Sequence, residues 1–216
     1  MQFYLHHIPK WYQALKPKYR WRYPQKDNDK VLYLSFDDGP IPGVTPWVLD
    51  CLKTYNAKAS FFCIGDNAQK HPAILAQIVE DGHSLGNHTF NHYKGSQCST
   101  EAYLENAALC AKEFQSKLFR PPYGRIKKAQ AKGLRAEGFE IIMWDVLAGD
   151  WDSKLSAEDC VKQIKKRAKP GSIIVFHDSI KAWPRLKIAL GEILEYYQEK
   201  GFRFEAIRPQ STAIAE

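Results

Sequence analysis

Short apolar runs rich in β-branched and aromatic residues alternate with helix-length amphipathic segments along most of this chain, and that alternation limits its fold more than any other feature. Residues 31–36 (VLYLSF) read as a buried strand and 44–56, with a Thr-Pro start, as the helix after it. Residues 58–64 form a second strand, 71–81 a helix closed by Gly82, and a short apolar stretch follows at Ser84-Leu85. A long helix begins at Ser99 or Thr100 and runs to about Leu118, before a loop over 119–124. Then come a helix at 125–137, a strand at 139–144 (FEIIMW), a helix at 156–169, a strand at 172–176 (SIIVF), a helix at 184–200 and a last strand at 201–207. Six or seven strands, each followed by a helix, predict an α/β domain with parallel strands, closed as a distorted or incomplete (β/α) barrel of about seven strands. An open doubly wound sheet is the alternative, and in both the chemistry belongs at the C-terminal ends of the strands.

A chain of 216 residues supports one domain with a full core, and its 44% hydrophobic and 25% charged content is that of a soluble globular protein. The N-terminus lacks the apolar stretch and small-residue cleavage site of a secretory signal, so the expected location is cytoplasmic or peripheral to a cell envelope. Cys51, Cys63, Cys98, Cys110 and Cys160 are odd in number and scattered, which suggests neither a disulfide framework nor a zinc ribbon.

A net charge of +7 invites a nucleic-acid reading, so its distribution matters. Residues 1–30 carry Lys10, Lys16, Lys18, Arg20, Arg22, Lys26 and Lys30 against Asp27 and Asp29, and the remaining 186 residues are nearly balanced, with 24 Lys or Arg against 22 acids. The chain therefore divides into a basic, aromatic arm (1–30) and a near-neutral domain (31–216), and no nucleic-acid partner is expected. The arm's Lys10-Trp11-Tyr12 and Lys18-Tyr19-Arg20-Trp21-Arg22-Tyr23 could meet an anionic membrane or glycan surface weakly; we favour the plainer reading, rings on the domain and charges in water.

Polar clusters sit where the predicted strands end. Asp37-Asp38-Gly39-Pro40 follows the first strand, and side chains of consecutive extended residues diverge, so one carboxylate can bind a metal while the other handles a proton. His88 and His92 are four apart, which a helical turn would put on one face within reach of a shared cation. Two histidines and a carboxylate leave metal positions open for water and a substrate oxygen, as catalytic sites require. Arg120 precedes two prolines in a stiff loop, Asp150-Trp151 lies just beyond the strand 139–144, and His177-Asp178 follows 172–176.

Together Ser35-Phe36-Asp37-Asp38-Gly39-Pro40, His88-Thr89-Phe90-Asn91-His92, Arg120-Pro121-Pro122-Tyr123-Gly124, Asp150-Trp151 and Val175-Phe176-His177 resemble the five ordered motifs of the NodB-homology polysaccharide deacetylases, over roughly residues 31–207. The resemblance implies that Asp37 is the general base, oriented by Arg120, and that Asp38, His88 and His92 hold one divalent metal, zinc first, with cobalt or another ion as alternatives. It implies that the Tyr123 backbone N–H helps hold the oxyanion beside Pro122, that His177 is the general acid supported by Asp150, and that Trp151 and Val175 line the acetyl pocket. The implied partner is an N-acetylated glycan, chitooligosaccharide or peptidoglycan, acted on by a monomer. Two positions depart from the family pattern: Leu147 stands where an acid is frequent, and Val175 where Leu is usual. The alternatives are acetylxylan O-deacetylation, a cytosolic amidohydrolase of the same fold acting on a small amide or ureide, and a catalytically silent glycan-binding module.

Overall fold

The strand β1, Val31–Asp37, is buried along its whole length, as a strand covered on both faces must be. Leu32, Leu34 and Phe36 pack outward into the main core, whereas Val31 and Tyr33 point the other way and join Phe62, Leu118, Ile142, Ile173 and Ile207 in a second cluster. This period-two division defines the inside and outside of a curved sheet. The computed structural model describes residues 8–24 and 29–209; Lys26 and Asp27 of the basic arm, with residues 1–7, lie outside the described residues.

After the short helix α1, Lys10–Ala14, and β1, the chain runs through α2 (Val44–Thr54), β2 (Ala59–Cys63), α3 (Gly65–Lys70), α4 (Pro72–Glu80), β3 (Ser84–Asn87), α5 (Thr100–Glu113) and β4 (Leu118–Phe119). It continues through α6 (Lys128–Ala136), β5 (Glu140–Ile141), β6 (Val146–Leu147), α7 (Ala157–Arg167), β7 (Ile173–His177), α8 (Trp183–Glu199) and β8 (Arg203–Phe204). The Ser99 hydroxyl caps α5 by accepting from the Ala102 amide, and Ser156 and Asp159 close a capping box on α7. Helix α5 ends at Glu113, not near Leu118; α3 lies in a stretch, Gly65–Lys70, without apolar periodicity to announce it.

The strands are ordered β5-β4-β3-β2-β1-β7-β6, with β8 beside the start of β1, and these strands pair in parallel. That is the cyclic order of a (β/α) barrel cut between β5 and β6, and it sets aside the doubly wound sheet. The predicted strand 139–144 is divided: its first part pairs with β4, residues 142–145 turn away, and β6 pairs with β7. The N-terminal arm enters this seam. The Arg20 amide donates to the Ile141 carbonyl (2.9 Å), the Met143 amide to Arg20 (2.7 Å), and the Tyr23 amide to Gly171 (2.8 Å). Trp21, 6% exposed, packs on Ala131, Ile141 and Met143, and Tyr23 stacks on Tyr33. Arg20 also forms an ion pair with Glu140. Most of the arm's described rings therefore lie on the barrel. No described helix is long and apolar enough to cross a membrane, and none of the five cysteines is in a disulfide.

Candidate active site and metal centre

Asp37 and His177 are register partners at the C-terminal ends of β1 and β7, so the parallel sheet itself sets them side by side. Each is held by a buried partner from another strand end. Fully buried Arg120 donates through Nη1 to Asp37 Oδ1 (2.6 Å) and to the Ser35 hydroxyl (2.8 Å), and through Nη2 to the Met143 carbonyl (3.2 Å). Its guanidinium lies 3.9 Å from the centre of the Phe62 ring. A buried charge this thoroughly bonded fixes the orientation of Asp37.

Across the site, the carboxylate of fully buried Asp150 accepts from the His177 amide (2.7 Å) and meets His177 Nδ1 (2.9 Å). A carboxylate accepts there, so Nδ1 carries the hydrogen and Nε2 is left for chemistry. Burial works against the imidazolium, but the charge and hydrogen bond of Asp150, with Asp38 and Asp37 beyond, outweigh it and raise the His177 pKa to about 9. Arg185 ties the Asp150 carbonyl to that of Lys181, fixing the loop that carries the pair.

Between these pairs, Asp38, His88 and His92 bring one ligand atom each to within 4.8 Å of one another. His92 Nε2 is 3.2 Å and His88 Nε2 3.8 Å from Asp38 Oδ1. The histidines do not lie on a helical turn: residues 88–92 form a loop after β3, with Thr89 and His92 at φ 63° and 56°. Left-handed backbone at non-glycine residues, with Asp38 at φ 85° and Tyr123 at φ 59°, is strain concentrated at the site. The loop is clasped by Asn106 of α5, whose Oδ1 accepts from the Phe90 and Asn91 amides (both 2.9 Å), and by Asn87, whose Oδ1 accepts from Thr89.

The donor chemistry fits a divalent cation. His88 Nδ1 donates to the Arg120 carbonyl (2.8 Å), directing the Nε2 lone pair toward Asp38, and burial lowers its pKa to about 4, keeping it neutral. Burial alone would raise Asp38, but His92, His177 and His88 hold it well below the usual carboxylate range, so it stays ionised.

These groups open into a cavity of about 350 Å3, whose wall includes Tyr123, Trp144, Leu147, Trp151 and Lys181. The structure brings together Asp37, Asp38, His88, His92, Tyr123, Trp151 and His177 on that cavity, with Arg120 and Asp150 behind it. Pro122 and Val175 are buried outside its lining; Val175 sits within β7 next to Leu147, and Leu147 supplies the apolar wall. One contributor was not singled out in the sequence. Asn106 is a polar residue in the buried stripe Tyr103-Asn106-Ala107-Cys110, an anomaly that could have flagged it. Ser35 and Asp178 stood in the sequence clusters without a role of their own: Ser35 accepts from Arg120, and Asp178 accepts from the Gly39 amide (3.0 Å) and the Thr45 hydroxyl (2.6 Å), bracing the turn after Asp38.

The polysaccharide deacetylase family model matches residues 17–142. A peptidoglycan-N-acetylglucosamine deacetylase of Bacillus cereus is 37% identical over 195 residues, covering 87% of this chain and 90% of that protein. A chitooligosaccharide deacetylase of Azorhizobium caulinodans is 36% identical over 163 residues, covering 70% and 75%. Among solved structures, the crystal structure of a peptidoglycan N-acetylglucosamine deacetylase in complex with 4-naphthalen-1-yl-N-oxidanyl-benzamide superposes with a TM-score of 0.83 at 32% identity, covering 90% of this chain and 93% of that one.

Proposed function

This chain belongs to the polysaccharide deacetylase family, and on that premise we propose that it hydrolyses the acetamido groups of N-acetylglucosamine-containing glycans, peptidoglycan or chitooligosaccharide, with a divalent metal as cofactor. The observation that carries this reading is the register pair Asp37 and His177, a candidate base and acid flanking the Asp38–His88–His92 ligand set in one cavity. Zinc is the ion we propose, since two imidazoles and one carboxylate are a recurrent catalytic zinc set. Such an ion, when bound, would polarise the acetamide carbonyl and acidify a water.

Asp37, held in place by Arg120, takes the proton of the attacking water as its oxygen adds to the acetamide carbon. The backbone N–H of Tyr123 is the proposed protein donor to the oxyanion that develops. As the C–N bond breaks, His177 passes its Nε2 proton to the leaving amine, and Asp150 stabilises the imidazolium beforehand. Leu147 and Trp151 offer an apolar wall for the acetyl methyl, where the family resemblance implied Trp151 and Val175.

Zinc-loaded protein incubated with chitopentaose and with peptidoglycan fragments should release acetate, seen by mass spectrometry as a loss of about 42 Da per acetyl, as acyl hydrolysis requires. Chelation should abolish release and zinc restore it; Asp37→Asn and His177→Ala should each lower turnover at least a hundredfold. Acetate release surviving in His88→Ala/His92→Ala, or glycan binding with no release by the metal-loaded chain, would overturn the reading.

A further inference from the structure

At the opposite end of the barrel from the catalytic cavity, a cleft of about 170 Å3 opens beside the N-terminal ends of β6 and β7. Lys10, Arg22, Lys166, Arg167 and Lys169 line it with a single acid, Asp145. Asp145 cannot neutralise five cations: its carboxylate already accepts from the Ser172 hydroxyl and the Ile173 amide (both 2.9 Å). Arg22 donates to the Pro170 carbonyl (2.8 Å), and the cleft is left with a strong excess of positive charge. Phosphate oxygens are the natural complement of such clustered lysine and arginine side chains.

The source of that phosphate is indicated by what stands beside the cleft. Trp11 and Leu15, 68% and 69% exposed, are one turn apart on α1 and its cap, with the Leu15 amide bonded to the Trp11 carbonyl. They adjoin Lys10, which lines the cleft, and exposed Lys18 follows a few residues on. A soluble phosphate has no use for an exposed indole and leucine, whereas a bilayer interface takes both while its anionic headgroups meet the lysines. We propose that this basal face docks the protein on an anionic lipid surface, a lipid phosphate entering the Lys10–Arg22–Arg167 cleft and Trp11 and Leu15 entering the headgroup region. The parallel strands then carry the catalytic cavity away from the bilayer, roughly 17 Å further along β7 from Ser172 to His177. This goes beyond the deacetylase reading and does not depend on it.

Deleting the arm is an unsuitable test, because Trp21 and the Arg20 backbone are built into the barrel seam. Point variants of the full chain separate docking from folding: Trp11→Ser/Leu15→Ser removes exposed apolar groups, and Lys166→Glu/Lys169→Glu reverses exposed charges. Both should melt within a few degrees of the wild type. The wild type should sediment with phosphatidylglycerol-containing vesicles and not with pure phosphatidylcholine, and each double variant should lose at least tenfold in vesicle partitioning. Partitioning that ignores lipid charge, or that survives both double variants, overturns the proposal. So does inorganic pyrophosphate binding in calorimetry, abolished by Lys166→Glu/Lys169→Glu, in a protein that leaves both kinds of vesicle in the supernatant, since the cleft would then serve a soluble phosphate.

Discussion

A β-carbon built on Gly39 would fall 1.9 Å from Asp178 Oδ2. The residue after the metal-ligand candidate Asp38 must therefore be glycine for the turn to sit on its buried carboxylate brace. Gly39→Ala is expected to lower the melting temperature by several degrees and to weaken zinc binding measured by calorimetry, because Asp178 and Asp38 cannot both keep their places. Asp178 itself, pushed up to about 8 by burial against the hydrogen bonds from Thr45 and Gly39, contacts Gly39 across 139 residues of sequence. Its place beside His177 at a strand end was legible but its contact with the turn after Asp38 was not, whereas the adjacent acids Asp37 and Asp38 and the histidine spacing were legible from residue type alone. His83 gives a second test. Burial, reinforced by Lys58, lowers its pKa to about 4, and its Nδ1 accepts from the Ala59 amide, so the folded state holds it neutral. Its unfolded pKa lies near the ordinary 6.5, so between those values the unfolded chain binds the extra proton, and stability falls as pH drops from about 6.5 toward 4. Urea midpoints compared at pH 7 and pH 4.5 should show a smaller acid loss in His83→Gln than in the wild type.

At the scale of elements, strands and long helices were readable because burial imposes their periods, and the helix starts at Ser99 and Ser156 carry side-chain caps. Two features were not. The segment His88–His92 has the spacing of a helical turn, but its backbone is governed by contacts from α5, and Thr89 and His92 leave the helical region to satisfy them. The run at 139–144 has the composition of one strand, yet barrel geometry assigns its neighbours to opposite edges of the cut, so it breaks. Asn106 shows how much an element does for the site from a distance: its side-chain oxygen fixes two loop amides and its amide nitrogen donates to Asn91 Oδ1 (2.8 Å). Asn106→Ala should reduce zinc affinity by about 10- to 100-fold, the usual consequence of removing support behind metal ligands, while leaving the far-ultraviolet circular dichroism unchanged. An unchanged affinity would mean that the loop holds its own shape.

For the molecule as a whole, the arm follows the plainer reading of its composition, with most of its described rings on the domain. What composition did not foretell is where they lie: they largely close the seam that the sheet leaves open between β5 and β6. Trp21, also bonded through Nε1 to the Lys16 carbonyl (3.2 Å), is the centre of that closure. Trp21→Ala should cost about 3–5 kcal/mol of unfolding free energy. Hydrogen exchange should then accelerate first at the Tyr23 and Met143 amides, which bond across the seam. The parallel sense of the strands was readable from sequence because crossover helices impose it, while the barrel order itself came from the sheet.

The seam also sets an order on biosynthesis. Arg20 meets Glu140 at a separation of 120 residues and Arg22 meets Pro170 at 148. At ordinary translation speeds the arm leaves the ribosome on the order of 10 s or more ahead of the strands that receive it. The arm is thus seated only after much later parts of the chain are made, and a nascent chain stalled before residue 140 would hold Trp21 and its neighbouring tyrosines without their docking surface.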